Sequence, residues 1–197
     1  MNDLKGKRVG IWKVGFGDYA LMVDKEHNLE IEWIPFVQNI NLFISGVIDA
    51  TLAMSYNEIL QIRAAGYDIS TAISIADEGY DFPEDGLYVS EDYFRNNPQT
   101  VKAFADASRK GWEWAQEHPE ETLEIVMEKT HSNNIATNRT HQKWMLEEVL
   151  KLNKDTEIGT ATYTLKSDQV RRLSDLLVKH GMISKPVTYE TITGQTL

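Results

Sequence analysis

The 197-residue sequence carries 30 acidic against 20 basic side chains, a formal net charge of -10, with 42% hydrophobic and 25% charged residues. This is a globular composition with enough apolar content for a core, and it excludes a disordered chain. Without a Lys/Arg cluster it excludes a phosphate-backbone-binding surface, and without cysteine it excludes disulfides, thiolate metal sites and cysteine nucleophiles.

In chain order, Lys7 to Lys13 reads as a strand opened by a turn at Leu4-Lys5-Gly6. Gly15-Phe16-Gly17-Asp18 supplies flexible backbone and an N-cap for a helix from Tyr19 to His27. Leu29 to Pro35 alternates apolar and acidic side chains, the pattern of a half-buried strand closed by proline. A short helix is expected over Asn39 to Ile44, a strand over Ala50 to Met54, and a helix over Glu58 to Ala65 with Gly66 as its C-cap. Asp68 to Ala76 places Ile69, Thr71, Ile73 and Ile75 on one face and is expected to be a further strand. Alternation of strand and helix with short loops predicts an α/β fold on a mostly parallel sheet.

Beyond Gly79 the pattern changes. Gly86-Leu-Tyr-Val89 predicts one more short strand, and Asn97-Pro98 an N-cap with proline at the first helical position. Helices are expected over Gln99 to Glu117, from Pro119 to about Lys129, over His141 to Leu152, and over Asp168 to His180 with Ser167 as cap and Gly181 as stop. Ile183 to Leu197 reads as an extended polar tail. No run approaches the ~18 apolar residues of a membrane span, and no export signal is read at Met1 to Arg8.

In an open parallel sheet, ligands bind at the carboxyl ends of the strands. That rule selects four loops, Lys13 to Asp18, Phe36 to Asn41, Ser55 to Glu58 and Asp77 to Phe82. The candidate ligand contacts are Trp12, Gly15, Phe16, Gly17, Asp18, Phe36, Asn39, Ser55, Tyr56, Asn57, Glu58, Asp77, Glu78 and Tyr80. The loops combine aromatic rings, amides and carboxylates with Lys13 as their one cation. Such a lining suits a flat, apolar-faced ligand bearing hydrogen-bond donors, and suits phosphate or sulfonate poorly. Glu58 has a plain reading as a first-turn acid favourable to its helix dipole, and Trp12 one as a packing residue. Gly15-Phe-Gly17 lacks the fuller glycine fingerprint of a phosphate loop. The five histidines fall at no metal-ligand spacing, so neither metal nor cofactor is expected, and no catalytic residue is assigned.

Several segments taken together resemble the solute-binding proteins of ABC transporters, in the NMT1/THI5-like group. They are Asp3 to Gly10, Ile44-Ser-Gly-Val-Ile-Asp-Ala50, Tyr56-Asn-Glu58, Ala76-Asp-Glu-Gly79, Gly86 to Phe94 running into Asn97-Pro98, and Lys110-Gly-Trp-Glu-Trp-Ala115. The resemblance implies a periplasmic-binding-protein type II-like fold, two α/β lobes closing by a hinge on a small molecule. It also implies an ABC permease as partner and an extracytoplasmic location for the full-length family. By this resemblance, residues 1–85 are a complete second lobe, and residues 86–197 are the crossover strand and C-terminal helices that complete a first lobe otherwise missing here. The expected ligand is a thiamine pyrimidine precursor, hydroxymethyl- or formylamino-pyrimidine, with Tyr56 stacking and Glu58 accepting from the amino group. A riboflavin-type binder is the alternative. The pyrimidine-synthase branch of the group is the enzymatic alternative, and it is the poorer one without cysteine or a catalytic His or Lys arrangement.

Overall fold

The computed structural model describes residues 1–13, 17–36, 40–82, 85–153 and 163–194, and of Phe36 only the backbone. The chain divides into two compact units, Met1–Asp81 and Phe82–Leu197.

The first unit is α/β. Strand β1, Arg8–Trp12, lies between β2, Glu32–Phe36, and β3, Ala50–Thr51, and both pairings are parallel. Arg8 stands opposite Glu32 and Trp12 opposite Phe36, while Val9 and Gly10 pair with Ala50 and Thr51. Val9, Gly10 and Ile11 are buried in succession rather than alternately, because a central parallel strand is covered on both faces. Proline at position 35 is accommodated because β2 is an edge strand and its missing N–H breaks no interior ladder.

Helix α1, Asp18–His27, makes the β1-to-β2 crossover and buries Ala20, Met22 and Val23. Its end is defined by Asn28 in the left-handed region at φ 51° and by Asp24, whose Oδ2 accepts from Trp33 Nε1 at 2.9 Å. The expected strand over Leu29 to Pro35 therefore starts late, at Glu32: Leu29 is buried as a plug and Glu30 has φ 55°, which no strand tolerates. Helix α2, Asn41–Ile44, is followed by a turn at Gly46 (φ 73°), and α3, Glu58–Ala64, by Gly66 at φ 90°. Tyr67 then donates its hydroxyl to the Ile44 carbonyl at 2.8 Å, with its ring 5.2 Å from that of Phe43.

Two expected strands are absent from the described residues. In Asp68 to Ala76 the period-2 pattern is overridden by a turn: the Asp68 carboxylate accepts from both the N–H (2.8 Å) and the hydroxyl (2.7 Å) of Ser70. The chain continues into a single wide helical turn at Ala76–Tyr80 with Gly79 at φ 93°. Leu87 to Val89 forms no regular secondary structure and has no partner strand among the described residues, and Tyr88 is 82% exposed. A strand needs a neighbour to take its N–H and C=O groups, and sequence pattern alone does not supply one.

The second unit is helical. Helices α4, Glu91–Asn96, α5, Pro98–Glu117, α6, Pro119–Ser132, and α7, Arg139–Leu152, follow one another closely. Their starts are written locally: Ser90 Oγ accepts from the Tyr93 N–H, Pro98 and Pro119 stand in first turns, and Asn138 accepts from the His141 N–H at 2.9 Å. Arg139 and Lys143 of α7 pair with Glu120 and Glu124 of α6. Leu123, Val126, Met145, Leu146 and Val149 line a small apolar groove together with Trp112, which stays 39% exposed. Helix α8, Ser167–Lys179, has its cap one residue earlier than Ser167, at Lys166, whose N–H donates to Gln169 Oε1 at 3.2 Å. Ser174 is buried and accepts from the Val187 N–H at 2.7 Å. The expected extended tail holds a last short helix, α9, Tyr189–Thr193, capped by Thr188.

Among the described residues, no helix is long and apolar enough to cross a membrane. Gly17, just before α1, touches the core directly: a Cβ built there lies 2.7 Å from Ile11 Cδ1 and 2.9 Å from Cγ1. Because Ile11 is itself buried, Gly17→Ala is expected to lower stability by about 1–3 kcal/mol through overpacking, read as a reduced midpoint in urea unfolding with unchanged m.

Candidate functional site

The carboxyl ends of β1, β2 and β3 define one end of the sheet, and α1 starts there. Topology therefore gathers Trp12, Gly17, Asp18, the Phe36 backbone and the corner Ser55–Glu58 at that end. Trp12, Tyr56, Asn57 and Glu58 are half-buried, and Ser55 and Asp18 are exposed. Gly15, Phe16, Asn39 and the Phe36 side chain, also expected in the site, lie outside the described residues.

The corner is positioned by β3. At the start of that strand, Asp49 grips Arg8 through Oδ2 to Nε and Oδ1 to Nη2, both 3.2 Å, and Oδ2 also accepts the Arg8 backbone N–H at 2.9 Å. The Arg8 guanidinium hydrogen bond, with the backbone N–H behind it, holds the Asp49 carboxyl below its usual range. On the far side of the pair, the Leu52 N–H donates to the Gly10 carbonyl at 2.9 Å. The next residues leave the sheet and turn, with the Asn57 N–H donating to the Met54 carbonyl at 3.1 Å.

Glu58 closes this turn. Its Oε2 accepts the Met54 N–H at 2.8 Å and its Oε1 accepts Asn57 Nδ2 at 2.9 Å. Asn57 Oδ1 in turn accepts Gln61 Nε2 at 3.0 Å, one helical turn on. The result is a chain of bonds from Gln61 through Asn57 to Glu58 and back to the Met54 backbone. Sequence reasoning named Glu58 and Asn57 but missed Met54 and Gln61, although the i,i+4 spacing of Asn57 and Gln61 signals such a pair.

Asp77, Glu78 and Tyr80 are not brought to this end. Tyr80 is buried and its hydroxyl donates to Glu26 Oε2, while Glu78 Oε2 lies 3.9 Å from His27 Nε2. Glu26 and His27 form the last turn of α1, which lies at the amino ends of the strands, next to the Gly6 N–H to Leu29 carbonyl bond of 2.8 Å. The expectation that all four loops converge is thus corrected for Asp77 to Tyr80. Because Asp68 to Ala76 is not a strand, nothing carries the following loop to the carboxyl end.

Burial, with the Glu26 carboxylate accepting its proton, raises the Tyr80 phenol above its ordinary value. A raised folded value means that stability is fully present below the unfolded value, about 10, and is lost as pH rises beyond it. Tyr80→Phe should cost about 1 kcal/mol near pH 8, Glu26 being exposed. The variant should also lose the tyrosine's share of the decline between about pH 8 and about pH 11, as seen in urea unfolding at both pH values.

Among the described residues no cluster of His, Asp and Glu has metal-site geometry. Comparison with known proteins adds the following. The family profile described as NMT1/THI5-like matches residues 1–122. The riboflavin-binding protein RibY of Chloroflexus aurantiacus is 24% identical over 135 residues, covering 65% of this chain and 38% of the relative. The chain thus spans well under half the length of that relative. No solved structure matches.

Proposed function

The chain belongs to the NMT1/THI5-like family, and we propose that it is the ligand-binding part of an ABC importer for a flat aromatic heterocycle. The ring would carry a pyrimidine-type edge and lie against the corner Ser55–Glu58. The observation carrying this reading is the half-buried Tyr56, set on an internally hydrogen-bonded turn at the carboxyl end of a parallel sheet. A phenol ring there offers a face for stacking, and Ser55 and Asn57 add neutral hydrogen-bonding groups.

Two ligand sources share that chemistry. One is a thiamine pyrimidine precursor, hydroxymethyl- or formylamino-pyrimidine. The other is riboflavin, whose ring system contains a pyrimidine-type edge and which appears in the name of the relative, the riboflavin-binding protein RibY. On this reading residues 1–85 act as one lobe and residues 86–197 as helices that complete another. Polypeptide outside the corner's own lobe supplies the facing wall, and hinge closure presents the loaded protein to a permease in an extracytoplasmic compartment. The role is binding, and no catalytic residue is assigned.

Isothermal titration with hydroxymethylpyrimidine, formylaminopyrimidine and riboflavin separates the sources. Tyr56→Ala is expected to weaken the preferred ligand by about tenfold to thirtyfold, the loss of roughly 1.5–2 kcal/mol of stacking and burial. Equal affinity of variant and wild type for the bound ligand would remove Tyr56 from the site. No heat with any of the three would defeat the ligand class.

A further inference from the structure

Glu58 was the residue expected to accept a hydrogen bond from the ligand, yet in the structure both of its oxygens already serve the corner itself. Oε2 takes the Met54 N–H at 2.8 Å and Oε1 takes Asn57 Nδ2 at 2.9 Å. The geometry points to Glu58 as a positioning residue, a latch that fixes the turn Met54–Glu58 in one conformation and acts on the ligand through Ser55 and Tyr56. This inference rests on the reading of the corner as a binding site.

Three features of the chain fit a latch. Alternate N–H groups of a strand face the same neighbour, so Met54 follows Leu52 on the side of β1: the Leu52 N–H still bonds the Gly10 carbonyl, whereas the Met54 N–H goes to Glu58 Oε2. Among the described residues its acceptor is the Glu58 carboxylate, at 2.8 Å. A carboxylate makes a stronger bond to a backbone N–H than a neutral acceptor does, so one residue can hold both strand exit and helix start. The carboxylate is also held from the other side, since Asn57 donates to it while Gln61 donates to Asn57 at 3.0 Å. Each donor therefore faces an acceptor, and rotating Glu58 outward toward a ligand would break two bonds in this relay.

A latch and a ligand contact leave different kinetic signatures. Loosening a preformed corner lowers the fraction of binding-competent molecules and slows association in proportion, leaving the bound complex as before. Removing a direct contact weakens the complex itself and speeds dissociation. The test uses the full chain with Glu58→Ala and Glu58→Gln, amide hydrogen exchange at Met54, and stopped-flow quenching of riboflavin fluorescence.

Glu58→Ala is expected to speed Met54 exchange by about tenfold, as for loss of one backbone hydrogen bond. It should slow riboflavin association severalfold, with dissociation changed by less than about twofold. Glu58→Gln keeps an acceptor for the Met54 N–H and should restore Met54 protection to within about threefold of wild type. Unchanged Met54 exchange in Glu58→Ala overturns the latch, as does faster dissociation with unchanged association. If wild type fails to quench riboflavin, that ligand fails, and Met54 exchange alone then decides the latch: acceleration supports it and constancy overturns it.

Discussion

The pairing of β3 with β1 covers two residues, Ala50 and Thr51, and a parallel ladder that short holds little by itself. It persists because its entrance is fastened by something other than the ladder. At the entrance Asp49 takes three hydrogen bonds from Arg8, two from the guanidinium and one from the backbone. At the exit the Leu52 N–H reaches the Gly10 carbonyl. Between these points β1 is a buried, rigid reference, and everything distal to Leu52, including the corner and α3, inherits its position from it. Loss of the entrance clamp would be felt at the corner, on the opposite end of the sheet, without any residue of the corner being touched.

The two ends of this sheet do different work. At the carboxyl end the side chains are half-buried and their bonds organise a turn. At the amino end Tyr80 is driven into the unit against Glu26, and Glu78 approaches His27, so a segment without strand or long helix is held down chiefly by one buried phenol. That end closes the unit, which leaves the carboxyl end as the place where irregular backbone, an aromatic ring and amides meet.

Much of this was legible in the sequence, and its limits follow from range. The helices of the second unit were readable because their signals are local: Pro98, Pro119, Asn138 and Gly181 act within one turn of themselves. β1, with its Val9-Gly10-Ile11 run, was readable for the same reason. The segments Asp68 to Ala76 and Gly86 to Val89 have strand composition but depend on partners far away in sequence, and a turn centred on Asp68 and Ser70 needs only two residues to win. The misplacement of Tyr80 follows directly. Counting Asp68 to Ala76 as a parallel strand puts the next loop at the carboxyl end, and removing that strand puts it at the other. Glu58 shows a subtler limit, since its position was evident but the Met54 backbone donor that occupies it has no side-chain signature.

These placements change the electrostatic character of the corner. Counted from sequence, the four loops carry Asp18, Glu58, Asp77, Glu78 and Asp81, which suggests a strongly acidic lining selecting a cationic or amino-rich ligand. In the structure Glu58 is engaged by Met54 and Asn57, while Asp77, Glu78 and Asp81 belong to the segment docked at the amino end of the sheet. Of the five, Asp18 alone stands at the corner's end without belonging to its relay of bonds. On the proposed reading, recognition there rests on a ring face and on neutral donors and acceptors, whose strength depends on exclusion of water more than on charge. A corner of that kind discriminates by shape and hydrogen-bond pattern, and such discrimination requires a turn that does not move. The carboxylate that sequence assigns to the ligand is better used in holding that turn still.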